Sequence, residues 1–226
     1  MLDENYINQT RKKVQSFLYD EKFIVPIASI LNVEEADAGA KLRNVEIFDI
    51  PTAKHTISWA IDLEKENQVY SSPAGLKKAE KALIVLDDKR FHCFMFELKS
   101  NTLDLYQIQQ KFEHTAERIS YLLSIYNFNS PDYNDITFYF KGILCYNDDK
   151  IKKPKPSEKV KTQRFYDIFI GEEPIKRMSF TNGILGQYKM DIDFFKNPSN
   201  STGFRIPFSQ IYAKTIRNSN LEWPSV

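Results

Sequence analysis

Two apolar runs lie back to back at residues 80–86 (EKALIVL) and 91–99 (FHCFMFELK), separated only by Asp87-Asp88-Lys89-Arg90. Runs this apolar joined by so short a polar link read as a β-hairpin. The second run ends on Glu97 and Lys99, two residues apart and so on one face of the strand. Charge carried into an apolar sheet costs several kcal/mol per ion, in order of magnitude, unless it is paired or holds a cation. Folding the hairpin about Asp88 and Lys89 puts Glu80 directly opposite Glu97. Side chains so opposed have Cβ atoms about 4.5–5.5 Å apart. Two carboxylates at that spacing repel, and something positive is expected between them. Lys99 is one candidate. A divalent ion is the stronger one, because hard cations take oxygen ligands and keep several waters. The plain alternative is an exposed Glu97–Lys99 pair at a strand end, worth about 0–1 kcal/mol.

The chain beyond the hairpin fits a sheet with helices on it. Ser100-Asn101-Thr102 suits a helix N-terminus, and residues 103–126 repeat Leu105, Ile108, Phe112, Ala116, Ile119 and Leu123 at steps of three and four. Residues 135–146 (DITFYFKGILCY) read as a strand covered on both faces. Upstream, residues 4–19 read as an N-terminal helix and 55–63 as an alternating strand, while 20–54 carries mixed signals. Downstream, residues 148–164 are Lys-rich with two prolines and read as a loop or flap. Strands are expected at 165–170, 175–180 and 203–211. The chain is expected to form a single domain over residues 1–226, α/β or α+β, with a central mixed β-sheet flanked by helices. Its core is expected at about 40–147, with a β-rich C-terminal extension over 165–215.

Composition excludes more than it selects. With 226 residues, 42% hydrophobic, there is material for one good core. A net charge of +1 creates no global field that selects nucleic acid or membrane, so any such surface is local. Cys93 and Cys145 both sit in apolar runs and read as buried reduced thiols. The first residues, MLDENYINQTRKK, have neither a signal-peptide nor a membrane-span pattern, so a cytoplasmic protein is expected. No Cys/His group has zinc spacing, and no glycine lies in a phosphate-cradling loop. His92 falls on the strand face opposite Glu97 and reads as a packing histidine.

The E-x-K of Glu97-Leu98-Lys99, with an acid at the start of the preceding strand and a helix after it, resembles the PD-(D/E)XK nucleases of restriction-endonuclease-like fold. The resemblance covers about residues 76–147. It implies a metal-dependent endonuclease hydrolysing phosphodiester bonds of DNA, with RNA as a second substrate class. Glu80, Glu97 and Lys99 are then the catalytic residues. Mg²⁺ or Mn²⁺ is held by Glu80, Glu97 and the backbone carbonyl of Leu98, and Lys99 orients the attacking water or stabilises transition-state charge. The first acid is Glu80 rather than the family's usual aspartate, and no proline precedes it. Asp87 and Asp88 are excluded by their place in the turn. Glu46, Asp49 and Asp62 stand as upstream acids between which the sequence does not choose, and Gln107 and Gln110 as supporting helix residues. Lys152, Lys153 and Lys155 are the expected phosphate contacts. The family also implies an effector of bacterial anti-phage defence acting with a partner ATPase, helicase or sensor, or as a homodimer. The alternative is an inactive nuclease-fold subunit that binds nucleic acid or scaffolds a larger complex.

Overall fold

The computed structural model describes residues 24–27, 29–51, 56–62, 78–87, 90–128, 137–147, 165–170, 173–182 and 186–217. The expected helix at 4–19, the Lys-rich loop at 148–164 with Lys152, Lys153 and Lys155, and the turn residues Asp88 and Lys89 lie outside them. Three short strands come first among the described residues: β1 (Ile24–Pro26), β2 (Leu31–Glu34) and β3 (Asn44–Phe48). Next come β4 (Thr56–Asp62), β5 (Lys81–Asp87) and β6 (Arg90–Lys99). Helix α1 (Leu105–Phe128) leads to β7 (Thr137–Tyr146), then β8 (Phe165–Ile170), β9 (Glu173–Asn182), β10 (Gly186–Lys196) and β11 (Gly203–Pro207). Helix α2 (Phe208–Arg217) ends the described chain.

The class is α+β. Eight strands form one sheet in the order β1-β4-β5-β6-β7-β10-β9-β8, and β11-β3-β2 form a second. The centre of the large sheet is parallel, with β7 paired to β6 on one side and β10 on the other, while its flanks are antiparallel. The centre is buried on both faces, which is why every residue of Phe91–Leu98 is buried and most are apolar. In β2 and β3, by contrast, burial alternates along the strand, the mark of a sheet with one face in the core.

The small sheet and α2 cover one face of the large sheet. Val33, Val45, Ile47, Ile206, Phe208 and Ile211 join Leu83, Phe94, Phe96, Ile143 and Cys145 there in one apolar cluster. Helix α1 covers the other face through the stripe of Ile108, Phe112, Ala116 and Ile119, all fully buried. Its N-cap is Asp104, whose Oδ1 accepts from the Gln107 N–H at 3.1 Å. The cap therefore falls two residues after the Ser100-Asn101-Thr102 cluster that the sequence suggests.

Two expectations need correction. The strand expected over 203–211 stops at Pro207, and the chain continues as α2. Proline has no N–H to carry a ladder onward and suits a helix start. Phe208, Ile211 and Tyr212 then recur at helical spacing, with Phe208 and Ile211 buried. The residues expected as a C-terminal extension supply β8, β9 and β10 to the same large sheet, with β10 seated directly against β7. Cys93 and Cys145 are free and buried on opposite faces of the sheet, and burial pushes both thiols above their usual range. His92 packs as expected, stacked on Tyr139 at 5.2 Å with Tyr212 edge-on at 5.4 Å.

Candidate functional site

The β5–β6 ladder has the register the hairpin implies, running from Asp87↔Arg90 to Lys81↔Phe96. Glu80 lies one residue beyond its end, and its N–H donates to the Phe96 carbonyl at 2.9 Å. The preceding Ala79 N–H donates to Thr115 Oγ1 of α1 at 2.9 Å, a buried contact. These two bonds fix the entry to β5 between sheet and helix and aim Glu80 at the neighbouring turn of α1. Glu97 and Lys99 sit near the C-terminal end of β6, in parallel register with Leu144 and Tyr146 of β7. Beyond them the Asn147 N–H donates to the Lys99 carbonyl at 3.1 Å, and the Asn197 N–H to the Tyr146 carbonyl at 2.8 Å. The site thus lies at the end of the parallel strands where their carboxyl termini gather, the usual place for ligands in sheets with parallel strands.

Glu80 and Glu97 meet on one cation, and that cation is a residue no sequence pattern singled out. Lys111 Nζ, from the second turn of α1, stands 3.0 Å from Glu80 Oε1 and 2.7 Å from Glu97 Oε1. Lys99 Nζ reaches the same Glu97 oxygen at 2.5 Å. Glu97 is 0% exposed and Glu80 5%, whereas the Lys99 and Lys111 side chains are 23% and 20% exposed. The carboxylates are therefore roofed by the two lysines. Glu97 Oε2 is buried with no hydrogen-bond partner among the described residues.

Burial pushes the Glu97 carboxyl up to about 7, and Glu80 pushes in the same direction, while Lys111 and Lys99 pull it down. For Lys111, burial pulls the ammonium down, but Glu97 and Glu80 outweigh it and hold its pKa above the usual lysine range. Two carboxylates against two ammonium groups make a site that is close to neutral and poorly hydrated, in which each charge feels its neighbours strongly.

The remaining expected residues divide between this end of the sheet and other parts of the fold. The Leu98 side chain points into the core on the opposite face. Gln107 is exposed on the first turn of α1, and Gln110 Nε2 donates to the Tyr106 hydroxyl at 2.8 Å. Neither contacts the carboxylates. Of the upstream acids, Glu46 pairs with Arg205 of β11 at 2.6 Å, on the second sheet. Asp49 is exposed in a left-handed turn with φ 57°. Asp62 is in register with Lys81 at the site's end of the large sheet.

Lys111 was hidden by its surroundings in the sequence. It follows Gln109 and Gln110 on a helix and looks like ordinary polar surface. The signal that could have found it is helical phase: Lys111 is next to Phe112 and one turn from Ile108, at the border of the buried stripe.

The two carboxylates are the oxygen ligands that a divalent cation would use at this end of the sheet. Two glutamates supply hard oxygen donors, Glu97 Oε2 is buried and unsatisfied, and ions of the Mg²⁺ class complete their shells with water. Among the described residues no group of three or more His, Cys, Asp or Glu side chains gathers in one place, so any such ion would be held by few protein ligands. Compared with known proteins, the chain matches no protein-family model, no curated protein and no solved structure.

Proposed function

We propose that this chain is a metal-dependent nuclease of restriction-endonuclease-like fold that hydrolyses phosphodiester bonds, with DNA as the first substrate to test. The observation that carries the reading is the convergence of Glu80, Glu97 and Lys99 at the carboxyl end of β6, two buried carboxylates with a partly exposed ammonium beside them. Glu80 and Glu97 would hold the cation, and the Leu98 carbonyl would add a backbone oxygen. When bound, a divalent ion acidifies a water and neutralises charge on a phosphoryl oxygen. Lys99 faces the opening and stabilises negative charge that grows on the phosphoryl group. The link to anti-phage defence rests on family analogy alone.

A second reading has its own support. Lys111 fills the space between the two carboxylates. A nuclease fold that traded its metal for a lysine would be a scaffold or nucleic-acid-binding subunit. The test is incubation of the purified protein with plasmid, single-stranded DNA and RNA in Mg²⁺, Mn²⁺ or EDTA. Cutting that requires metal and falls at least about 100-fold in both Glu97→Ala and Lys99→Ala is the expected result. Binding with intact substrate in every lane selects the scaffold, and cutting that persists in EDTA removes the metal from the mechanism.

A further inference from the structure

Resting on the metal-site reading, we propose that Lys111 is an internal stand-in for the divalent ion: its ammonium holds Glu80 and Glu97 together in the metal-free protein and must swing out for a cation to bind. The geometry requires the exchange. Lys111 Nζ touches both carboxylates, at 3.0 Å and 2.7 Å, and so occupies the position from which one ion reaches both. The two carboxylates are almost fully buried, and the lysines form their exposed roof, so a cation arriving from solvent meets Lys111 first.

Charge balance points the same way. Lys111 and Lys99 already neutralise Glu80 and Glu97 when both carboxylates are ionised. A divalent ion added with Lys111 in place would leave a buried site with a net charge of about two and bring ion and ammonium within a few ångströms, where repulsion in a low-dielectric setting is strong. With Lys111 withdrawn, its charge reaches water and the net charge left at the site falls to about one. Lys111 has the means to leave: it is 20% exposed and its stem is flexible and unbranched. Its neighbour Phe112 is locked into the sheet, so the backbone stays while the side chain moves.

The device has a functional use. Without metal the lysine protects two buried carboxylates from each other, and the site is closed. With metal the released ammonium stands at the mouth of the site, beside Lys99, where a phosphodiester would lie.

The test tracks the side chain directly. The intact protein is treated with an amine-acylating reagent, with and without Mn²⁺, and modification of Lys111 is read by mass spectrometry. Slow labelling without metal, rising at least about 5-fold with Mn²⁺ while exposed lysines are unchanged, is expected. In parallel, Mn²⁺ affinity is measured by titration calorimetry for the wild type, Lys111→Met and Lys111→Gln. Removal of the competing ammonium should tighten binding by about 10-fold or more. Mn²⁺ binding with equal affinity in all three proteins, or without any change at Lys111, overturns the exchange but leaves the metal site standing. Failure of all three to bind Mn²⁺ removes the metal site itself and the exchange with it.

Discussion

Glu97 carries its carboxyl in a buried and crowded electrostatic setting. Its carboxyl is wholly buried and pushed up to about 7, against an ordinary value of 4.5. A carboxyl raised in the folded state binds its proton more tightly there than in the unfolded chain. Its contribution to stability is therefore fully present below about pH 4.5 and is lost as pH rises through about 7. Glutamine in its place cannot titrate. In EDTA, the stability of Glu97→Gln relative to the wild type should improve between pH 5 and pH 8 by up to about 3 kcal/mol. Urea unfolding at the two pH values measures it, and a difference that does not move with pH would place Glu97 in a wetter setting than its burial indicates. The same residue explains why the site could be anticipated from sequence. A glutamate two places from a lysine, at the end of an apolar run, already poses the question of what compensates its charge. Lys111 supplies part of the answer from across the fold, where no local pattern points to it.

At the scale of elements, the site depends on how closely α1 lies on the sheet. Gly142 of β7 sets that distance: a Cβ there would stand 3.0 Å from Ile192 Cγ1 and 3.0 Å from Phe112 Cε2. Phe112 is the residue after Lys111, so the close approach that the glycine permits also brings the ammonium to the carboxylates. Gly142→Val should destabilise the protein by about 1–3 kcal/mol through overpacking. Adding Phe112→Leu should recover part of that loss, because it opens space on the helix side of the same contact. Denaturant unfolding of both single variants and the double variant gives the coupling, and strict additivity would show that the two groups do not press on each other. The helix and the hairpin were legible in the sequence because each carries its own periodicity. The approach between them was not, since a glycine in an apolar strand reads as a weak spot until its neighbours are known.

Across the whole molecule, a second buried ion pair binds the large sheet to helix α2. Lys141 of β7 lies 2.8 Å from Asp193 of β10, and its ammonium also donates to the Ile211 carbonyl of α2 at 3.2 Å. Asp191 is buried on the same strand, in register with Lys141. Removing Lys141 takes an ammonium away from a buried carboxylate, so Lys141→Met should cost about 3–5 kcal/mol. The double variant Lys141→Met with Asp193→Leu should cost less than the single one, because it removes the buried carboxylate together with the ammonium that balances it. Thermal unfolding of the two variants decides it, and a double variant worse than the single would mean that the pair is favourable in its own right. No helix among the described residues is long and apolar enough to cross a membrane.

Local information sufficed for the β5–β6 hairpin, its register, the span of α1 and the burial of Glu97, because hydrophobic periodicity and a short turn act over neighbouring residues. It could not disclose that β10 seats against β7, that the chain turns helical after Pro207, or that Lys111 rather than Lys99 bridges the two glutamates. Each of those is a pairing between segments far apart in the chain. It is settled by the competition among all apolar faces for burial and among all buried charges for partners, which no single stretch of residues encodes.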